Sequence, residues 1–215
     1  MSKALCLSRD SRGVALVEFA MCLPLILMLM TGGIELGNMI LIHVRLERAS
    51  RSLSDMVAKK ASDFEGLSER ELNDMMLITR RGAGEDLNKD SRIIITAVLG
   101  QDVDSDGVAE KNVIAWQRFG GSYVSAPISL GCWNNGSNPV LANNRQLNAG
   151  ETLFHVQMTK KYDPLMRVLF DAVSVPTIVT RSATFRGRGS IYRNLLTSPG
   201  VEPQNTCTKS YMNSL

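Results

Sequence analysis

Residues Val14–Ile34, VALVEFAMCLPLILMLMTGGI, decide the fold class, because Glu18 is the one charged residue in an otherwise apolar run. An α-helix rises 1.5 Å per residue, so about 20 residues cover the ~30 Å hydrocarbon core of a bilayer. A cleaved secretory signal fits less well, since its apolar region runs only about 7–15 residues. The run therefore predicts a membrane-spanning helix over about residues 14–36.

The helical pattern continues beyond this span. Apolar residues recur there at spacings of three and four: Met39, Ile42, Leu46, Ala49, Leu53 and Met56. Charged residues stand between them, so this outer part is amphipathic. We expect one helix over residues 14–62. Its apolar positions pack either on the chain's own domain or against helices of other subunits, and both interpretations stay open.

Residues 63–215 predict a small α+β domain. Ser68-Glu69-Arg70-Glu71 is a capping box that begins a helix ending near Gly82. Four runs are typical of strands: Arg92–Leu99, Asn112–Arg118, Thr152–Lys161 and Thr177–Arg186. The predicted class is α+β: a long N-terminal transmembrane helix, continuing into an amphipathic half that packs on a small antiparallel sheet.

Composition argues against several classes of function. A net charge of +3 and an aromatic content of 6% provide neither a basic stripe nor a stacking platform for nucleic acid. The two histidines, His43 and His155, have no local partner, and no metal, phosphate-loop or nucleophile-elbow motif is present. Cys132 and His155 would make a nucleophile and base only if another group oriented them. We expect no enzyme; a tethered hydrolase is the least favoured hypothesis.

The residues around the start of the span resemble a prepilin-type leader. Arg12-Gly13 precedes Val14, and Glu18 and Phe19 are then the fifth and sixth residues. The resemblance implies that residues 1–13 are a leader, cut after Gly13 by a prepilin peptidase on the cytoplasmic side. A carboxylate inside a membrane helix costs about 2.5–3.5 kcal/mol, and the new amine of a neighbouring Val14 would offset this cost. Glu18 would then set the register between packed helices.

Residues 13–40 are similar to the TadE-like minor pilins, or pseudopilins, of Flp/Tad tight-adherence pili, with Glu18-Phe19, Pro24, Glu35 and Gly37 in the expected places. The later stretches VIAWQR, HVQMTKKYDPL and TRSATFRGR also resemble that family. The resemblance implies a subunit that takes part in pilus assembly, and hence in adhesion, surface attachment and biofilm formation. The implied partners are the prepilin peptidase, other pilin and pseudopilin subunits, the pilus assembly platform and the inner membrane.

The expected location is the bacterial inner membrane, single-pass, with a cytoplasmic N-terminus and a periplasmic domain of residues 63–215; later incorporation into a surface pilus stays open. Charge counting alone leaves the orientation undecided or reversed. Basic residues after the span outnumber those in the leader: Arg45, Arg48, Arg51, Lys59 and Lys60, against Lys3, Arg9 and Arg12.

Two residue pairs carry further structural predictions. Gly33 and Gly37 form a Gly-x-x-x-Gly pair, whose small size lets membrane helices approach closely. Cys132 and Cys207 both fall in the outer domain, where a disulfide is the natural pairing in an oxidising periplasm. Closing a loop of that length would stabilise the domain by roughly 4 kcal/mol.

The segment Asp102–Gly107 has two interpretations. Asp102, Asp104 and Asp106 match the start of a calcium loop, although Val113 stands where the acid of position twelve is expected. Ser, Asp and Gly between two strands also suit a plain hairpin turn. No cofactor is expected apart from this candidate Ca²⁺. The alternative function is therefore an uncleaved, membrane-tethered periplasmic binding module that uses this loop.

Overall fold

The computed structural model describes residues 11–63, 65–84, 87, 89–132, 138–164, 177–187, 194–205 and 207. Within these described residues the fold has two α-helices and four strands: α1 Ser11–Ala61, α2 Glu69–Gly82, β1 Ser91–Gln101, β2 Lys111–Gly120, β3 Thr152–Lys161 and β4 Ile178–Arg186. A short 3₁₀ helix, Ala142–Asn144, lies in the connection between β2 and β3. The predicted α+β class, with one long N-terminal helix and a small antiparallel sheet, is confirmed.

The strands form one antiparallel sheet in the order β2-β1-β3-β4. β1 is central: Ala97 lies opposite Trp116 on β2 and opposite Phe154 on β3, and the Trp116 and Phe154 rings are 6.0 Å apart. Almost every residue of β1 is buried, so both of its faces are covered. Burial on both faces explains why this strand is a continuous β-branched run rather than an alternating one.

Residues 42–61 of α1, called the sheet-packing half below, share the core of the sheet. Leu46, Leu53 and Val57 are fully buried at helical spacing. Ser54 Oγ donates to the carbonyl of Phe154 at 3.2 Å, so the small serine brings helix and sheet into close contact. The predicted packing of the amphipathic half on the sheet is therefore confirmed.

The long connection between β2 and β3 covers the sheet face that carries Thr96 and Val98. Leu141 and Leu147 from this connection form a buried cluster with Val98 and Leu153. Gln117 Nε2 donates to Thr96 Oγ1 at 2.9 Å and to the carbonyl of Gly131 at 3.0 Å. This connection, although rich in Ser, Asn and Gly, thus supplies a layer of the core.

The capping box predicted for α2 is present. Ser68 Oγ accepts from the Glu71 amide, and the Glu71 carboxylate accepts from the Ser68 amide at 3.0 Å. Ser68 Oγ also donates to the Glu71 carboxylate at 2.8 Å, and this hydrogen bond, together with that from the Ser68 amide, holds the pKa of Glu71 below its usual value. Glu69, almost fully buried, pairs with Arg118, and this ion pair attaches α2 to β2.

The chain divides into two compact units, Met1–Leu41 with Pro164–Val175, and Ile42–Asp163 with Pro176–Leu215; the second is called the sheet domain below. The sequence placed its divisions after residues 13 and 62 instead. The boundary inside α1 has a physical cause, since residues 42–61 belong to the core of the sheet. Most of the predicted leader, residues 1–10, lies outside the described residues.

Candidate membrane and assembly interface

Residues 13–41 of α1, called the apolar half below, present most of their side chains outward. Every residue from 13 to 30 is exposed, with Leu16 at 71%, Met21 at 77% and Leu29 at 69%. Soluble proteins rarely expose a contiguous apolar surface of this size. Within the described residues, one helix, Gly13–Ala61, is long and apolar enough to cross a membrane. Length, composition and exposure together indicate a membrane anchor.

The predicted cleavage site lies near the N-terminal end of α1. Gly13 and Val14 are exposed and follow directly on the first helical residues. The first four N–H groups of a helix have no intrahelical partner, and glycine lowers helix stability by about 1 kcal/mol relative to alanine. Glycine at position 13 therefore makes this turn of α1 easier to open than alanine would.

Glu18 and Phe19 are both exposed on the next turn, Phe19 at 61%. Glu18 follows Val14 by four residues, so the two share a helix face. Among the described residues, Glu18 makes no ion pair or hydrogen bond. Glu35, the other acidic residue of the apolar half, is only 4% exposed and does interact within the protein. Of the two acids of the apolar half, Glu35 is therefore buried and interacts within the chain, whereas Glu18 is exposed.

Two glycines, a threonine and a proline of the apolar half are compatible with a membrane-spanning helix. A Cβ built on Gly33 or Gly37 meets no described atom within 4 Å. Packing within the described chain therefore does not require their small size. Thr31 Oγ1 donates to the carbonyl of Leu27 at 2.8 Å, so its hydroxyl is satisfied inside the helix. Pro24 lies within the helix, which a span tolerates when neighbouring groups compensate for the missing donor.

The loop between β1 and β2 brings its acidic residues together. Carboxylate oxygens of Asp102, Asp104, Asp106 and Glu110 all lie within 4.8 Å of one another. Sequence reasoning missed Glu110, because it looked for the acid at position twelve of a calcium loop. Glu110 stands at position nine, which also supplies a ligand in such loops. Carboxylate oxygens are the kind of ligand that Ca²⁺ takes, although its full set numbers about six to eight oxygens.

The same carboxylates also act as backbone acceptors within the turn. Asp102 accepts from the amides of Ser105 at 2.6 Å and Gly107 at 2.9 Å, and Glu110 accepts from the Val103 amide at 2.6 Å. Ser105 and Gly107 have positive φ values, 65° and 90°, as tight turns often require. The turn interpretation thus accounts for these positions without a metal, and the calcium interpretation shares the same residues.

Cys132 and Cys207 are joined by a disulfide, with Cα atoms 5.9 Å apart. Cys132 is 2% exposed, and a sulfur in a disulfide is not a free thiol for the imagined pair with His155. His155 is itself buried on β3, with Nε2 3.2 Å from Ser129 Oγ. Burial lowers the pKa of His155 to about 4, so the imidazole is neutral at physiological pH. It belongs to a polar network under the long connection, in which Ser129 Oγ donates to Gln157 at 2.7 Å.

Residues 13–53 match the family model of TadE-like proteins. The match begins at the glycine of the predicted cleavage site and includes the whole apolar half and part of the sheet-packing half. The resemblance inferred from the residues is therefore confirmed for this segment, which indicates a protein associated with the Tad pilus system. Comparison with the curated proteins and with the solved structures gives no match.

Proposed function

We propose that this protein is a minor pilin, or pseudopilin, that takes part in assembling Flp/Tad-type pili. It is inserted in the inner membrane by the apolar half of α1, with the sheet domain in the periplasm, and a prepilin peptidase cuts it after Gly13. The observation that carries this proposal is an outward-facing Glu18, five residues after Gly13, on an exposed apolar helix within the TadE-like segment.

Electrostatics explains why Glu18 needs another subunit. A carboxylate in the membrane costs about 2.5–3.5 kcal/mol by insertion scales, and such groups usually have a partner. Glu18 has none among the described residues, whereas Glu35 interacts within its own chain. Cleavage after Gly13 creates an ammonium group on Val14, which supplies the missing cation on a neighbouring helix. Pairing the two groups lowers the cost of both, provided that the helices pack in one register.

Packing supports the same proposal. The side chains of residues 13–30 make no buried contact within the described chain, so this surface is free for lipid and for other helices. Gly33 and Gly37 have open space around them, and small residues allow backbones to approach closely in a membrane. A helix built in this way serves association between subunits more than the stability of its own fold.

The disulfide favours the periplasmic side for the sheet domain. Disulfides persist in the periplasm and are rare in the cytosol. The Cys132–Cys207 bond lies in the sheet domain, whereas the free cysteine among those described, Cys22, lies in the apolar half. This distribution supports a cytoplasmic N-terminus, in reach of a peptidase that acts on that side.

Cleavage is tested by the N-terminal sequence and intact mass of the full chain, produced with an active and with a catalytically inactive prepilin peptidase. We expect a chain beginning at Val14 with the active enzyme and a longer chain with the inactive one. A chain that still carries Met1 or Ser2 in both samples would overturn the proposal.

Assembly is tested with Glu18→Gln, which removes the charge and keeps the shape. We expect normal membrane insertion and a loss of this subunit from sheared pili or from cross-linked complexes with other pilins. Glu47→Gln is the matched control, because Glu47 is an exposed helix acid that pairs with Arg51 on its own chain. Equal assembly of Glu18→Gln and wild type would show that Glu18 does not pair between subunits.

The alternative, an uncleaved calcium-binding module, is favoured by the four converging carboxylates between β1 and β2. It predicts that Ca²⁺ raises the melting temperature of the full chain, that a chelator reverses the rise, and that Asp104→Asn with Glu110→Gln abolishes it. It also predicts that the leader is retained. A melting temperature insensitive to Ca²⁺ and chelator would leave the loop as a turn.

A further inference from the structure

A cavity of about 640 Å³ lies in the sheet domain. The ends of β1 and β2 contribute Arg92 and Phe119, and the segment after β2 contributes Val124. The chain returns over these residues at positions 200–204, where Val201 and Pro203 add apolar surface. A volume of this size is within the range of small-molecule sites, roughly 300–1,000 Å³.

Arg92 is the unusual residue of this cavity. Arg92 is only 4% exposed, and its guanidinium lies over the Phe119 ring, 4.8 Å from the ring centroid. Nη1 donates to the carbonyl of Val124. Among the described residues, no carboxylate pairs with Arg92. Buried cations are nearly always paired, because removal from water costs several kcal/mol, so this guanidinium has donors to spare and an uncompensated charge.

We propose that this cavity binds a small organic monocarboxylate, which pairs with Arg92 and lays its apolar body against Phe119, Val124, Val201 and Pro203. The planar guanidinium fork matches the two oxygens of a carboxylate. One cation balances one negative charge. Glu202, the other charged residue lining the cavity, is exposed to solvent, which screens its charge, so Arg92 is the buried charge that a bound anion meets. The lowered pKa of Arg92, caused by burial, agrees with a charge that lacks a partner in the free protein.

A backbone hydrogen bond, the disulfide and a close backbone contact hold the walls of the cavity in place. The Phe119 amide donates to the carbonyl of Gln204 at 2.9 Å, which fastens residues 200–204 to the edge of β2. The disulfide of Cys207 fixes the same segment a few residues later. Gly121, with φ of 103°, passes so close to β1 that an added Cβ would lie 2.3 Å from the Ser91 carbonyl oxygen. The end of β2 with Gly121 and the segment of residues 200–204 are thus both held beside Arg92.

The probe for this site is sodium benzoate, added to the purified full chain in detergent at constant ionic strength. We expect a saturable rise in melting temperature of about 3 °C at ten times the dissociation constant. Benzamide, the neutral isostere, should give no rise. Arg92→Met should abolish the response and leave the melting temperature without benzoate unchanged or higher, because it removes an uncompensated buried charge.

Two further variants keep the test decisive. Arg181→Met removes an exposed arginine of β4 and should keep the full response. Arg92→Lys keeps the charge without the fork, and should weaken benzoate binding several-fold even if Arg92→Met does not fold. Equal shifts with benzoate and benzamide, a non-saturating shift, or an undiminished response in both Arg92 variants would overturn the proposal. None of these outcomes depends on whether the chain is cleaved after Gly13.

Discussion

The apolar half of α1 is an almost uninterrupted apolar run, whereas the sheet-packing half is amphipathic, and the two halves have opposite surroundings. In the apolar half, residues 13–30 are all exposed, whereas Leu46, Leu53 and Val57 of the sheet-packing half are fully buried. Small residues also serve the halves differently. Ser54 brings the helix to hydrogen-bonding distance of the sheet, while Gly33 and Gly37 face open space. One continuous helix therefore stabilises the sheet domain through residues 42–61 and exposes an apolar surface through residues 13–30.

This contrast assigns different consequences to the two halves. The free energy of unfolding of the sheet domain depends on the sheet-packing half and on the cross-links within that domain. The apolar half contributes to membrane insertion and association, and substitutions there should leave the unfolding of the sheet domain unchanged. The following measurements test whether the two halves of α1 have these separate roles.

The largest expected effect comes from opening the disulfide with Cys207→Ser. The bond joins residues 75 positions apart, and the chain-entropy model gives such a loop about 4 kcal/mol of stabilisation. Urea unfolding of the full chain in detergent, followed by tryptophan fluorescence, measures the loss. Cys22→Ser is the control, because Cys22 is free and exposed in the apolar half. A similar loss in both variants would contradict the division.

The next effect compares two leucine truncations on the same helix. Leu53→Ala should lower the free energy of unfolding by about 3 kcal/mol, since Leu53 is fully buried and the substitution leaves a cavity. Leu25→Ala, at a position 61% exposed, should change it by less than about 0.5 kcal/mol. The same urea series decides the matter, and equal losses would show that the apolar half also supports the sheet domain.

The smallest expected effect is a pH dependence from His155. Its pKa is lowered to about 4 in the folded state, mainly by burial, against about 6.5 in the unfolded chain. The unfolded state therefore binds more protons between these values, so stability is full above pH 6.5 and falls as the pH drops toward 4. We expect a loss of about 2 kcal/mol from pH 7 to 4.5. His155→Gln should remove this part of the pH dependence; an unchanged slope would contradict the assignment to His155.

Predictions from local pattern succeeded where the physical cause is local. The capping box of α2 depends on residues three apart, and the four strands follow from short β-branched or alternating runs. Prediction fell short where distant segments meet. The turn between β1 and β2 brings the Glu110 carboxylate beside those of Asp102, Asp104 and Asp106, which the sequence did not predict. The sequence predicted Arg92 as the first residue of a strand and gave no sign of the cavity that it lines. The sequence predicted no helix or strand after Arg186, although Leu196 pairs with Ser68 and Gln204 with Phe119.

The sequence by itself determined the long helix, its apolar run, the position of Glu18 relative to Gly13, and the α+β class, because each depends on residue type and spacing along one element. The point at which α1 changes its role depends on the tertiary structure, because Leu46 and Leu53 are fully buried in the sheet domain and Ser54 donates to Phe154, 100 positions further along the chain. The tertiary structure also buries Arg92 and places residues 200–204 at the same cavity. Burial depends on which segments meet in space, and that information lies in no single stretch of the chain.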